Sequence, residues 1–252
     1  MNNQQRGVLA FRTVALGVLL TLGSGCATTR SDPDKDPIEP VNRVFFDVNE
    51  KLDKYLMKPV AQGYQKITPK PVRSSVTNFF DNFFYPNVIL NDFLQAKFTQ
   101  GFRDLARLFV NTTIGIGGLF DRATPAGLVR HQEDLGQTFA TWGINQGAYL
   151  VLPLRGPSTA RDVTDLVPST FLNPLFYIES VATFPIAALS VINERANLLE
   201  ATEIRDEAAL DSYTFTREAF LQRRNDLIYD GNPPLEEFED FFEEETDPDA
   251  VE

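Results

Sequence analysis

The segment "DPIEPVNRVFFDVNEKLDKYLMKPV" sets the tightest limit on what this chain can fold into. Val41, Val44, Phe45, Val48, Leu52, Tyr55 and Leu56 recur every three or four residues, the period of a helix with one apolar stripe. Arg43, Asp47, Glu50 and Lys54 fall off that stripe. Asp36 as N-cap, Pro37 in the first turn and Glu39 at capping-box spacing supply a start, and Pro59 is expected to bend or end the helix. The pattern repeats. In "TPKPVRSSVTNFFDNFFYP" the stripe is Val72, Val76, Phe79, Phe80, Phe83 and Phe84, with Pro86 as the predicted stop. In "KFTQGFRDLARLFVN" it is Phe98, Phe102, Leu105, Leu108 and Phe109. No stretch sustains period-two alternation, so the expected class is all-α.

These stripes are broken by proline or charge before they reach the roughly 20 apolar residues that cross a bilayer. The longest apolar segment, "FLNPLFYIESVATFPIAALSVI", contains Asn173, Pro174, Glu179 and Pro185. Pieces of this kind are unsuited to spanning but suited to lying within one leaflet, with Glu179 at an interior or water-facing position. The chain holds 21 Phe against 2 Met and 1 Trp, an aromatic bias that supplies many flat apolar side chains. Its net charge of −12 argues against nucleic acid and against attraction to an anionic surface. Much of that charge lies in "LEEFEDFFEEETDPDAVE", residues 235–252, so 232–252 is expected to be an acidic disordered tail.

The sole cysteine, Cys26, excludes an intramolecular disulfide, and with His131 as the sole histidine a Cys/His zinc site is out of reach. Its context supplies a use. Arg6 and Arg12 precede the apolar run Val14 to Leu22, then Gly23, Ser24 and Gly25 lead into Cys26. That is a secretory signal with small residues at the cleavage site. The cysteine stands where a bacterial lipobox places it, although the usual large aliphatic residue, Leu22, comes one place early. Residues 1–25 are therefore expected to be cleaved and Cys26 acylated, with 26–35 a polar tether. Ala27 follows the cysteine in place of the Asp that retains enteric lipoproteins at the inner membrane, which favours the outer membrane.

Two glycine-bearing loops interrupt the helices. "NTTIGIGGLFD" carries Gly115, Gly117 and Gly118 without the spacing of a phosphate loop, and in "WGINQGAYLVLPLRGPSTARD" an apolar run lies between Gly147 and Gly156. Loops this apolar are either core or the lining of an apolar passage. Catalysis finds no support. Ser158 lies in "GPSTA", which is not a nucleophile elbow, and His131 reads as a surface histidine in a polar loop. Metal spacings of the DxDxDG or HExxH kind are absent, and no cofactor is expected.

Taken in order, "DPIEPVNRVFFDVNEKLDKYLMKPVAQGY", "PKPVRSSVTNFFDN", "LNDFLQAK", "RLFVNTTIGIGGLFDRA" and "EDLGQTFATWGINQGAYLVLPLRGPSTARD" resemble the MlaA (VacJ) family of outer-membrane lipoproteins. Pro40-Val41 and Gly147-Ala148-Tyr149 depart from the family pattern at two loop or entry positions. The resemblance implies a single ring-like domain, here 36–231, of amphipathic helices embedded in one leaflet around a central channel. It implies removal of mislocalised phospholipids from the outer leaflet, a trimeric porin as holder and a periplasmic lipid carrier as acceptor. On this reading Tyr149, Leu152, Pro153 and Leu154, with Arg155 at the exit, border the lipid path. Gly115, Gly117 and Gly118 then allow a close approach or a hinge. Arg155 is suited to a phosphate head group or to pairing with Asp162 or another nearby carboxylate. Two other classes compete: a lipoprotein that scaffolds porins without transport, and an envelope hydrolase that needs His131 buried beside a serine or carboxylate.

Overall fold

A computed structural model describes residues 36–177, 181 and 183–234, all in a compact unit that begins at Asp36. The signal segment, Cys26, the tether, Glu179 and residues 235–252 lie outside the described residues.

Helix α1 (Glu39–Leu52), a π-turn (Asp53–Met57) and α2 (Lys58–Ile67) follow without interruption. Pro59 does not end the helical run. It lacks the N–H that would bond the Tyr55 carbonyl, and the wider turn ahead of it accommodates the gap, with Lys58 N–H donating to Asp53 O. Pro86 is not a stop either, because α3 (Lys70–Leu94) runs straight through it. Burial of Tyr85 before the proline and of Ile89, Asn91 and Asp92 after it offsets its cost of about 3 kcal/mol, while the stacked pairs Phe79–Phe83 and Phe80–Phe84 stiffen the turns that precede it. The helix begins two residues later than expected, so Asp36 precedes its N-cap by two positions. Ile38 is the N-cap, while the Asp36 carboxylate accepts from Ile38 N, from the Asn42 amide and from the Tyr213 hydroxyl.

The chain continues through α4 (Phe98–Thr113), α5 (Leu135–Thr141), α6 (Leu166–Phe171), α7 (Thr183–Asn197), α8 (Leu199–Ala208) and α9 (Ser212–Ile228). The helical expectation holds with one exception. Tyr149–Leu152 (β1) and Gly156–Thr159 (β2) form an antiparallel hairpin in the register Tyr149↔Thr159 and Leu152↔Gly156, where the sequence reads as an apolar loop. Strands of four residues are too short to display alternation. Helix α3 packs on α4, α2 on α7, β1 on α1, and α9 on α5 and β2. Two small apolar nuclei hold these contacts: Phe46, Tyr149, Val151 and Tyr213, and separately Ala61, Ala196 and Leu199.

Candidate functional site

Of the apolar stripes predicted from periodicity, that of α4 and the valines of α1 point outward, whereas on α3 Phe80 is buried and Phe79, Phe83 and Phe84 are half-buried. On α4, Phe102 and Phe109 are 63% and 69% exposed and Phe98 and Leu105 are exposed beside them, while Gly101, Asp104, Arg107 and Asn111 are buried. Helix α1 does the same, exposing Val41, Val44 and Val48 and burying Asn42 with Phe46. A protein bathed only in water has the opposite arrangement, and contiguous apolar surface of this kind marks contact with a membrane or a partner. No helix among the described residues is long and apolar enough to cross a membrane.

The interior is a connected polar network. Tyr85 Oη donates to Asp104 Oδ1 at 2.8 Å, and His131 Nδ1 lies 2.9 Å from Asp104 Oδ2. Burial, and then the neighbouring Asp104 carboxylate, push the Asp92 carboxyl up to about 8. Gln100 Nε2 bridges Asp92 Oδ1 at 2.8 Å and Glu133 Oε1 at 3.1 Å, and Lys97 neutralises Glu133 at 2.9 Å. A proton held by Asp92 relieves the crowding of three buried carboxyl groups. His131 is thus half-buried and engaged by Asp104, which corrects its reading as a free surface histidine. Ser158 is buried on β2 with its hydroxyl on the Thr159 carbonyl, so the two residues weighed for hydrolysis have separate partners.

The glycine loop closes the C-terminal end of α4. Gly117 N donates to Thr112 O and Gly118 N to Asn111 O, both at 2.8 Å. A Cβ at Gly115 would lie 2.3 Å from the carbonyl oxygens of Asn111 and Phe120, and one at Gly118 would lie 2.5 Å from Asn82 Cβ. Both positions therefore require close backbone approach. Gly117 is different, with a φ of +66° and open space around it. Asn111 Oδ1 accepts from Arg122 N at 2.8 Å and Ala123 N at 3.0 Å, and Arg107 Nη2 donates to Asp121 at 2.8 Å, which fixes the loop's exit. Burial opposes ionisation of Asp121, but hydrogen bonds from Thr124 and Arg107 prevail and hold its carboxyl at about 2.

The hairpin rests on α1 and α9. Tyr149 is buried edge-on to Tyr213 and Phe220, and its hydroxyl has no hydrogen-bond partner among the described residues. Leu152 is half-buried, and Pro153, Leu154 and Arg155 form the exposed tip, where Leu154 adopts a φ of 65°. The Arg155–Asp162 pairing does not form. Asp162 is taken by Arg224 at 2.7 Å, and Arg224 also grips Asp134, the N-cap of α5, at 2.5 and 3.0 Å. Burial opposes the charge on Asp134, yet Arg224 holds its carboxyl below the usual range. Arg155 instead lends its charge to the surroundings of Asp165.

Sequence reasoning missed Asn42, Asn49, Asp92, Asp104, Asn111 and Arg224, the side chains that organise the interior. A signal was present for some of them. Asp104, Arg107 and Asn111 recur at helical spacing opposite the phenylalanines, so the same periodicity that marks the apolar stripe marks a polar one.

A helical fold that buries a connected polar network, exposes large apolar side chains and carries one packed glycine loop defines a protein built to present an apolar exterior. The sequence profile of the MlaA lipoprotein family matches residues 34–227, and this chain belongs to that family. The intermembrane phospholipid transport system lipoproteins MlaA of Shigella flexneri and Escherichia coli K12 are each 33% identical over 233 residues, covering 88% of this chain and 90% of theirs. An uncharacterized protein of Rickettsia bellii is 37% identical over 191 residues, 75% of either chain. A solved structure described under the maintenance of bacterial outer membrane lipid asymmetry superposes with a TM-score of 0.68 at 32% identity, over 77% of this chain and 99% of that one.

Proposed function

We propose that this protein is an outer-membrane lipoprotein, anchored through an acylated Cys26 on the periplasmic side, that takes mislocalised phospholipids from the outer leaflet through a central channel. It passes them to a periplasmic carrier and is held in place by a trimeric porin. The observation that carries the reading is an inversion of polarity, clearest on α4. Among the described residues no helix is both long and apolar enough to cross a bilayer, and α4 exposes Phe98, Phe102 and Phe109 while burying Asp104, Arg107 and Asn111, which suits a body seated within one leaflet around a polar interior. The two relatives named for phospholipid transport agree with it.

The physical need is plain. Exposing two acyl chains of about 16 carbons to water costs on the order of 20 kcal/mol at about 0.8 kcal/mol per methylene, so spontaneous desorption is slow and a shielded path accelerates it. On this reading Tyr149, Leu152, Pro153, Leu154 and Arg155 border the path, and Gly115, Gly117 and Gly118 shape its wall.

Deleting the gene in its own bacterium tests the function. Surface phospholipid accessible to added phospholipase, and sensitivity to detergent with chelator, should both rise and be restored by the wild-type chain. Unchanged surface phospholipid would overturn transport, and if porin trimers were destabilised at the same time, the scaffold reading would replace it.

A further inference from the structure

The start of α3 and the end of α7 form an open, solvent-facing cavity of about 350 Å³ lined by Lys70, Arg73, Ser74, Thr77, Asn78 and Asn197. Its lining holds two cations, hydroxyls and amides, and no carboxylate. That composition is unusual in a chain of net charge −12. The buried Arg107 and Arg224 are each paired with Asp, whereas neither Lys70 nor Arg73 has an ion pair among the described residues, a state they share with Arg103, Arg122 and Arg155. Arg73 Nε is buried with no hydrogen-bond partner there. Buried donors on a charged group are costly when unmatched, and an ionised acceptor is the group that satisfies them best.

The lining is also organised. Thr77 Oγ1 accepts from Asn193 Nδ2 at 2.8 Å and from Asn197 Nδ2 at 3.0 Å, which ties the α3 wall to the α7 wall. The first turn of α3 carries no acid, so Lys70 and Arg73 stand at the positive end of the helix dipole, an arrangement that an anion relieves. Exposed apolar residues flank the same elements: Ile67 ends α2, Val72 lies between the two cations in sequence, and Leu198 follows Asn197. Asn78 lines both this cavity and a second, polar one of about 100 Å³ that reaches Arg107 and Arg130.

We propose that the Lys70/Arg73 cavity binds the phosphate of a phospholipid head group and so is a docking point for the cargo. This rests on the transport reading above. The ligand chemistry is a tetrahedral phosphate oxyanion accepting from a guanidinium, an ammonium and neutral donors, and the exposed aliphatic neighbours favour a phosphate that carries acyl chains over a free one.

Calorimetric titration of the full-length acylated protein in neutral detergent tests the assignment with three probes: dihexanoyl-phosphatidylglycerol, inorganic phosphate and phosphate-free dihexanoylglycerol. The phospholipid should bind, and Lys70→Gln/Arg73→Gln should weaken that binding about tenfold or more while leaving dihexanoylglycerol unaffected. Wild-type affinity should fall in about 0.5 M NaCl, a measurement that does not depend on any variant folding. Unchanged affinity in a double variant that melts like the wild type, or binding indifferent to salt, overturns the site. Binding of inorganic phosphate with none of the phospholipid overturns the lipid assignment. Normal lipid retrieval by cells carrying the double variant overturns the docking role and leaves the proposed function standing, whereas a gene deletion with no surface phospholipid removes the transport reading itself.

Discussion

Asn42 and Asn49 stand two helical turns apart on one face of α1 and pair with β1 as a neighbouring strand would. Asn42 Nδ2 donates to Tyr149 O and its Oδ1 accepts from Val151 N, both at 2.9 Å. Asn49 repeats the exchange with Leu152 O at 2.9 Å and Leu154 N at 2.8 Å. A helix thereby satisfies the free edge of a two-stranded sheet, and the hairpin tip is held to α1 by side chains alone.

Asn42→Ala leaves a buried carbonyl and a buried amide unmatched and should cost roughly 2–4 kcal/mol, while Asn49→Ala, nearer the exposed tip, should cost about 1 kcal/mol. Amide exchange read by mass spectrometry should rise at Leu154 in Asn49→Ala, with the rest of the hairpin still protected. Equal protection at the tip would show that the turn holds itself.

Arg224→Met should be among the more damaging single changes, because it strands Asp134 and Asp162 without their shared cation. The expected loss is about 3–5 kcal/mol, read from thermal unfolding in mild detergent. Gly136→Ala is a useful companion, since a Cβ there would lie 2.2 Å from Asp162 Oδ1 and push that carboxylate off Arg224. In the wild type the contribution of Asp134, whose carboxyl is held below the usual range, is present above ordinary carboxylate pKa values and lost as pH falls through its own. Arg224→Met should lack that acid-side loss.

Asp92 predicts the opposite slope. Its carboxyl is raised to about 8 by burial, then by Asp104, with Glu133 adding to the rise and Gln100 opposing it. The protonated form is the one the fold favours, so its stabilisation is full below about pH 4 and fades as pH climbs toward 8. Asp92→Asn keeps the shape and a donor toward Asp104. Its melting temperature should stay level between about pH 5 and 8 where the wild type declines, and exceed it at pH 8 by at least about 2–4 °C, the shift expected per kcal/mol in a domain of this size. Parallel curves for the two proteins would show that Asp92 is ionised in the fold.

Phe102 and Phe109 test the exterior. With Cys26 replaced by Ser and export through an ordinary signal, the apolar surface is what remains to hold the protein to lipid. Phe102→Glu/Phe109→Glu should then shift the chain from the vesicle-bound to the free fraction in flotation, by on the order of a hundredfold or more, since each exposed Phe is worth about 1.5–3 kcal/mol on burial. The buried Asp104 and Arg107 lie on the opposite face, so the melting temperature in detergent should barely move. Retention on vesicles would show that these phenylalanines face something other than lipid.

Periodicity located α1, α3 and α4 but gave no sign to their faces. A stripe of Phe98, Phe102, Leu105 and Phe109 has the same spacing whether it meets a core or a lipid, and the decision rests on Asp104, Arg107 and Asn111 finding partners distant in sequence, such as Asp121 and His131. Pro86 does not stop α3 because tertiary burial of Tyr85 before it and of Ile89, Asn91 and Asp92 after it holds both sides of the helix, which a propensity argument cannot see. The hairpin escaped notice because half of its edge pairing comes from asparagine side chains on another element. Among the loop residues, glycine needs no partner to be legible, which is why Gly115, Gly117 and Gly118 were identifiable and Asn49 was not.

Those glycines separate packing from gating. Gly115→Ala drives a Cβ to 2.3 Å from two backbone carbonyls, and Gly118→Ala presses on Asn82, so both should lower stability and any loss of transport would follow from that. At Gly117 a side chain meets nothing within 4 Å, and the cost is confined to the left-handed backbone, about 1–2 kcal/mol for Ala and more for a β-branched residue. Gly117→Val therefore changes the loop's preferred conformation with little disturbance to its neighbours. If the loop shapes the lipid path, cells with Gly117→Val at wild-type protein level should either accumulate surface phospholipid or leak lipid outward, while Gly117→Asn, which tolerates positive φ, should behave as wild type. Normal asymmetry with Gly117→Val and Arg155→Ala expressed at wild-type level would make the glycine loop and the hairpin tip packing elements and shift the reading toward the porin scaffold.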